Sequence, residues 1–136
     1  MISADITVKS QFYDLDPMGI VWHGNYARFF EQARCALLDK LDFNYEQMND
    51  SGFAWPIVDM RIKYIRPIRF AQEVKVTATL VEYENRLKIQ YQITDATTEE
   101  RLTRGFTIQV AIDKNSEEML FQSPSILYRK VEALLC

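Results

Sequence analysis

With 136 residues, 48% of them apolar and 26% charged, the chain is long enough to bury a core and fits one domain over 1–136. Its 16 Lys and Arg against 19 Asp and Glu leave a net charge of -3. That argues against nucleic acid as a partner, because binders of a phosphate backbone carry a basic surplus. The 2 cysteines, Cys35 and Cys136, and the 1 histidine, His23, do not make a metal cluster and do not call for an oxidising compartment. The N-terminus lacks a basic start and an apolar run, and no apolar stretch approaches the ~20 residues of a membrane span. The expected location is the cytoplasm.

In chain order, Asp5 to Phe12 alternates as a strand, with Ile6 and Val8 on one face and Thr7 and Lys9 on the other. Asp14, Asp16, Pro17 and Gly19 then break the pattern as turn formers. Gly24-Asn25 reads as a helix start. From Tyr26 the period is helical. Tyr26, Phe29, Phe30, Ala33, Leu37 and Leu41 share one stripe, with Arg28, Gln32 and Asp39 away from it. Cys35, inside this pattern, is expected as a small core residue.

Asn44 to Ser51 suggests a short second helix ended by Gly52. Four strands follow: Pro56 to Ile65, Glu73 to Tyr83, Arg86 to Asp95 and Leu102 to Asp113. Their expected inward residues are Ile62 and Tyr64; Val74, Val76, Ala78 and Leu80; Leu87, Ile89, Tyr91 and Ile93; and Phe106, Ile108, Val110 and Ile112. Glu84-Asn85 is a hairpin link, and Ser125 to Leu135 suggests a last helix. Clean alternation implies an antiparallel sheet with one buried and one wet face. The architecture is therefore α+β, a curved antiparallel sheet around one long helix. Its bare edges predict pairing with a second copy, as a homo-oligomer, dimer or homotetramer.

The run Phe12 to Tyr26 carries two acids, the histidine, two glycines and the aromatics Phe12, Tyr13, Trp22 and Tyr26. It lies just before the long helix, whose first turn offers unpaired N–H groups to a developing oxyanion. A carboxylate slightly upstream can act there as base or nucleophile.

The segment Asp16-Pro17-Met18-Gly19-Ile20-Val21-Trp22-His23-Gly24-Asn25-Tyr26 resembles the signature of the 4-hydroxybenzoyl-CoA thioesterase family and of the short acyl-CoA thioesterases associated with the Tol-Pal system. Phe29 to Arg34 and Tyr64-Ile65-Arg66-Pro67-Ile68-Arg69-Phe70 continue the likeness, which runs over roughly Ile6 to Ile112. The resemblance implies a hot-dog fold, an acyl-CoA substrate, and no metal or redox cofactor, since coenzyme A arrives with the substrate. It carries the catalytic carboxylate onto Asp16 and assigns the His23 backbone N–H to the thioester carbonyl. Gly19, Val21 and Tyr26 fall in the same run as substrate contacts. His23 places the chain nearer the Tol-Pal-associated branch. Where the family often has Gly-Asp before the third strand, this chain has Ala71-Gln72.

Bland readings compete at each position. Asp16 can serve as a turn former, Asp14 as a turn or surface residue, and Glu31 as an ion-pair partner of Arg34 or Arg28. Arg66, Arg86 and Lys88 are candidate clamps for coenzyme A phosphates, although most strand cations simply solvate a wet face. Met18, Trp22 and Trp55 suit an acyl tunnel or ordinary packing. Besides acyl-CoA hydrolysis, the residues leave open an acyl-carrier-protein substrate, a hydratase or dehydratase, and a non-catalytic acyl-CoA-binding module.

Overall fold

The computed structural model describes residues 2–135. Strand β1 (Ser3–Lys9) leads through two 3-10 turns, Phe12–Asp14 and His23–Asn25, into helix α1 (Tyr26–Lys40). Helix α2 (Tyr45–Asp50) follows, then β2 (Phe53–Ala54), β3 (Ile57–Tyr64), β4 (Glu73–Glu82), β5 (Leu87–Asp95), β6 (Arg101–Gln109), β7 (Ile112–Asp113) and helix α3 (Ser125–Leu135). Five strands form one antiparallel sheet in the order β1-β4-β5-β6-β3, and β2 pairs with β7 as a separate ribbon. The expected curved sheet on one long helix is borne out as the hot-dog arrangement. The small β2–β7 ribbon is an addition, because two-residue strands leave no periodic trace.

The six stripe residues, Tyr26, Phe29, Phe30, Ala33, Leu37 and Leu41, are all buried. They pack α1 across β1, β4 and β5. The inner faces of β4 and β5 meet them with the expected residues: Val74, Val76 and Ala78 from one strand, Leu87, Ile89, Tyr91 and Ile93 from the other. α3 buries Leu127 and Val131. Tyr128 ties it to the β4–β5 link by donating to the Glu84 carbonyl at 2.8 Å, and its Lys130 reaches Asp42 at 3.0 Å.

Strand β6 departs from expectation. Tyr91 stands opposite Gly105, Ile89 opposite Thr107, and Leu87 opposite Gln109. Opposed residues share a face, so Thr103, Gly105, Thr107 and Gln109 look toward the helix while Phe106 and Ile108 lie on the other face, where Ile108 is still buried. The cause is the ring of Phe30, which stacks on Tyr91 with centroids 4.4 Å apart. A Cβ at position 105 would lie 2.8 Å from that ring and 2.2 Å from the Arg61 carbonyl oxygen. Only glycine fits there, and the register puts polar neighbours inside with it. Thr107 bonds the Tyr91 hydroxyl at 2.7 Å and Gln109 Nε2 donates to the Trp55 carbonyl at 2.8 Å, whereas Gln109 Oε1 and Thr103 Oγ1 have no partner among the described residues.

The turn before β4 also resolves. Ala71 takes φ 59, the left-handed conformation for which glycine is the usual choice. Gln72 bridges the turn, accepting from the Arg69 N–H at 2.9 Å and donating to Asp95 at 2.7 Å. At the β5–β6 turn, the Asp95 carboxylate accepts from the backbone N–H groups of Thr98 and Thr97, both at 2.8 Å.

The Thr98 N–H first, then Gln72 and the Thr97 N–H, hold the Asp95 carboxyl down at about 2, from 3.8. A carboxyl lowered in the folded state stabilises the fold above its unfolded pKa, and that contribution disappears as pH falls through the folded value. Asp95→Asn is therefore expected to melt below wild type at pH 7. The gap in Tm should narrow steadily between about pH 4 and about pH 2 in a pH series of thermal melts.

Candidate active site

The loop between β1 and α1 is folded around Asp14. This residue sits in a 3-10 turn, one of its two expected readings, and is 2% exposed, which corrects the other, a surface position. Its carboxylate pairs with Arg28 of α1 and accepts from the Gln11 N–H at 2.8 Å. Its carbonyl accepts from the Trp22 N–H and from the Asn25 side-chain amide, both at 2.9 Å. Asn25 is thus drawn back toward the loop and makes no side-chain cap on α1. The first turn of the long helix keeps its donors, with no acid among its own residues.

Asp16, two residues on in extended backbone, faces the other way, as alternation predicts. Its N–H donates to Ile20 O at 2.9 Å, and its carbonyl accepts from the Gly19 N–H at 3.0 Å. Gly19 closes this turn at φ 77, where a side chain would be strained. One carboxylate oxygen, Oδ1, accepts from the Met18 N–H at 2.8 Å. This bond fixes the carboxylate on the loop and leaves Oδ2 without a protein donor among the described residues.

Asp16 opens into a pocket of about 320 Å³, shared with Val21, His23, Tyr26, Tyr64 and Arg66 and walled by Met18, Ile20, Ile65 and Pro67. Val21 and Tyr26 are buried. Burial pushes the Tyr26 phenol above its ordinary value, with the Ile68 backbone opposing and Tyr64 and Asp16 adding. The His23 ring is exposed. Its N–H has no acceptor among the described residues, whereas its carbonyl accepts from the Tyr64 hydroxyl at 2.8 Å.

Of the sequence-derived candidates, Asp16, Val21, His23, Tyr26 and Arg66 converge on this pocket, and Gly19 shapes the turn beside it. Lys88 and Arg86 lie elsewhere in the chain. Lys88 is on the outer face of the sheet. Arg86 falls outside β5, in the β4–β5 link, where Glu82 holds it at 2.7 Å. Trp55 is core, edge-on to Phe43, and Met18 and Trp22 are exposed. Glu31 is exposed beside Arg34 at 3.5 Å. Cys35 is half-buried, with its thiol pushed up by burial and by Glu31. Cys136 lies outside the described residues.

Tyr64 is the site residue that sequence reasoning passed over. It was expected as an inward strand residue, and it does lie on the helix side of the sheet edge. Its ring meets Tyr26 edge-on at 4.7 Å, and its hydroxyl clamps the turn that presents the His23 N–H. The visible signal was a tyrosine directly before Ile65-Arg66-Pro67.

A curved antiparallel sheet closed on one helix, with a carboxylate pocket at that helix's uncapped start, is the architecture of a hot-dog protein. The family model described as the thioesterase-like superfamily matches residues 10–131, and the chain belongs to that superfamily. It is 36% identical over 84 residues to the putative acyl-CoA thioesterase YneP of Bacillus subtilis, covering 62% of this chain and 60% of YneP. The match thus spans less than two thirds of that relative's length. A putative esterase of Synechocystis is 29% identical over 124 residues, 90% of this chain and 75% of the relative. The solved DHNA-CoA thioesterase of Staphylococcus aureus superposes with a TM-score of 0.83 at 30% identity, over 98% of this chain and 93% of that one.

Removing the Tyr64 hydroxyl deletes one hydrogen bond worth about 1 kcal/mol. Tyr64→Phe is expected to lower Tm by about 3–5 °C. It should also speed hydrogen exchange at the Asn25 N–H, which bonds Trp22 O across the same turn at 2.9 Å. Calorimetry and amide exchange measured by NMR check both effects.

Proposed function

We propose that the chain hydrolyses an acyl-coenzyme A thioester to the free acid and coenzyme A. The observation that carries this reading is the fixed Asp16 carboxylate in one small pocket with the unengaged His23 N–H. The thioester carbonyl would lie against that N–H, at the positive end of α1. Asp16 would take a proton from a water attacking the carbonyl carbon, or attack that carbon itself to form an acyl–Asp16 anhydride that water then hydrolyses to the free acid and the restored carboxylate. The tetrahedral oxyanion collapses, the C–S bond breaks, and the sulfur of coenzyme A leaves as a thiolate that picks up a proton. Arg66, which lines the pocket and lies 3.5 Å from Glu100, would meet a phosphate of the substrate. No resident metal or redox cofactor is required. The names of YneP, a putative acyl-CoA thioesterase, and of the staphylococcal DHNA-CoA thioesterase support the substrate class. A cytoplasmic location goes with it; among the described residues no helix is long and apolar enough to cross a membrane.

Asp16→Asn keeps the size and the turn but removes the base. Free-thiol release from a panel of short, long and aromatic acyl-CoAs is expected to fall by about 10²–10⁴-fold, with the wild-type Tm retained. Near-normal release by the variant would remove Asp16 from the chemistry.

The reading includes a homo-oligomer. β3 ends the sheet order with one side unpaired, and its Ile57, Val58 and Met60 are exposed. A bare apolar edge of this kind invites a second copy. Tyr64 and Ile65, at the end of the same strand, line the pocket, so a partner joined at β3 would sit beside the site. Met60→Lys is expected to shift the chain toward monomer in analytical ultracentrifugation, and an unchanged sedimentation coefficient would remove β3 from the interface.

A further inference from the structure

The outer face of the sheet carries a second concavity, of about 370 Å³. Arg61 and Lys63 reach it from β3, Lys88 from β5 and Arg104 from β6, with Phe106 and Val81 as its apolar walls. The register brings these side chains together. Arg61 stands opposite Phe106, and Lys63 opposite Arg104. Because Phe106 faces outward, the residues opposite it and two along share its side of the sheet.

Among the described residues no carboxylate lines this concavity. None of its four cations makes an ion pair with another described residue. Glu82, the register partner of Lys88, is engaged by Arg86 instead. Lys88 holds its ammonium 4.6 Å from the centroid of the Phe106 ring. On a chain whose net charge is -3, these four like charges repel one another, and a bound anion relieves that repulsion. Burying this face against its own copy would add to the repulsion.

We infer that this concavity binds the phosphates of a nucleotide, with Arg61 and Arg104 as forked donors, the two lysines as point charges, and Phe106 and Val81 against the base or sugar. A free nucleotide and the nucleotide end of an acyl-CoA share this chemistry. Lys63 and Tyr64 are consecutive in β3 and point to opposite faces, so the sheet separates this concavity from the Asp16 pocket of the same chain. An acyl-CoA that reaches it is therefore one seated in another copy. That source rests on the thioesterase reading, whereas nucleotide binding does not.

The test is calorimetric titration of the full chain with adenosine 3′,5′-bisphosphate and with ATP. It compares wild type, the double variant Arg61→Gln/Arg104→Gln, and Lys75→Gln, a control on the same face that neighbours Asp5 at 4.0 Å. Wild type and Lys75→Gln are expected to bind. The double variant should bind about tenfold or more weakly, and added salt should weaken wild type in the same direction. Thioester kinetics then separate the sources. A KM raised in the double variant for acyl-CoA but not for acyl-pantetheine, which lacks the nucleotide, identifies the substrate's own end. An unchanged KM for both identifies a free nucleotide. No binding by wild type, or equal binding by the double variant, overturns the inference. Intact nucleotide binding without thioester turnover would instead overturn the thioesterase reading alone.

Discussion

The buried carboxylate of Asp14, held by Arg28 of the long helix, is the tie on which the site depends. A carboxylate taken out of water is tolerated only when its lone pairs are occupied, and here a guanidinium and the Gln11 N–H occupy them. Because the same residue's carbonyl receives Trp22 and Asn25, the loop is folded back onto the start of α1. Backbone alternation then turns Asp16 toward the pocket. The structural acid and the pocket acid are separated by one residue and owe their roles to opposite directions along one strand-like segment.

The second constraint is the space taken by Phe30. Its stacking on Tyr91 fills the place where β6 would carry a side chain, and Gly105 yields it. This contact seats α1 in the sheet. Seating α1 also places the helix start, and with it the His23 turn, against Tyr64 at the end of β3. Core packing and site geometry are thus two ends of one helix, and a change in how deeply α1 sits would move the His23 N–H.

The sheet separates two chemical environments. On its helix side, Asp16 meets aromatic and aliphatic walls and the free donors of a helix start. On its outer side, four cations share a concavity that no carboxylate of the described residues lines. The inversion of β6 links the two. By placing Thr107 and Gln109 inside, it exposes Phe106 beside Lys88 and gives the outer face its apolar wall.

The fold class, the six-residue stripe of α1 and the inner faces of β4 and β5 were legible in the chain, because burial of one face writes a period of 3.6 or 2 into the sequence. The motif from Asp16 to Tyr26 and the Asp-Pro turn were legible too, since turn residues are selected locally. The buried role of Asp14 was not, because its partner Arg28 lies 14 residues away on another element. Nor was the face of β6, where a single glycine reversed the hydrophobic signal, or the divergence of Arg86 and Lys88 from Arg66. Local periodicity determined which elements form. Which side chains meet was decided by strand register and by the close approach of one ring to one glycine, and both are properties of residues far apart in the chain.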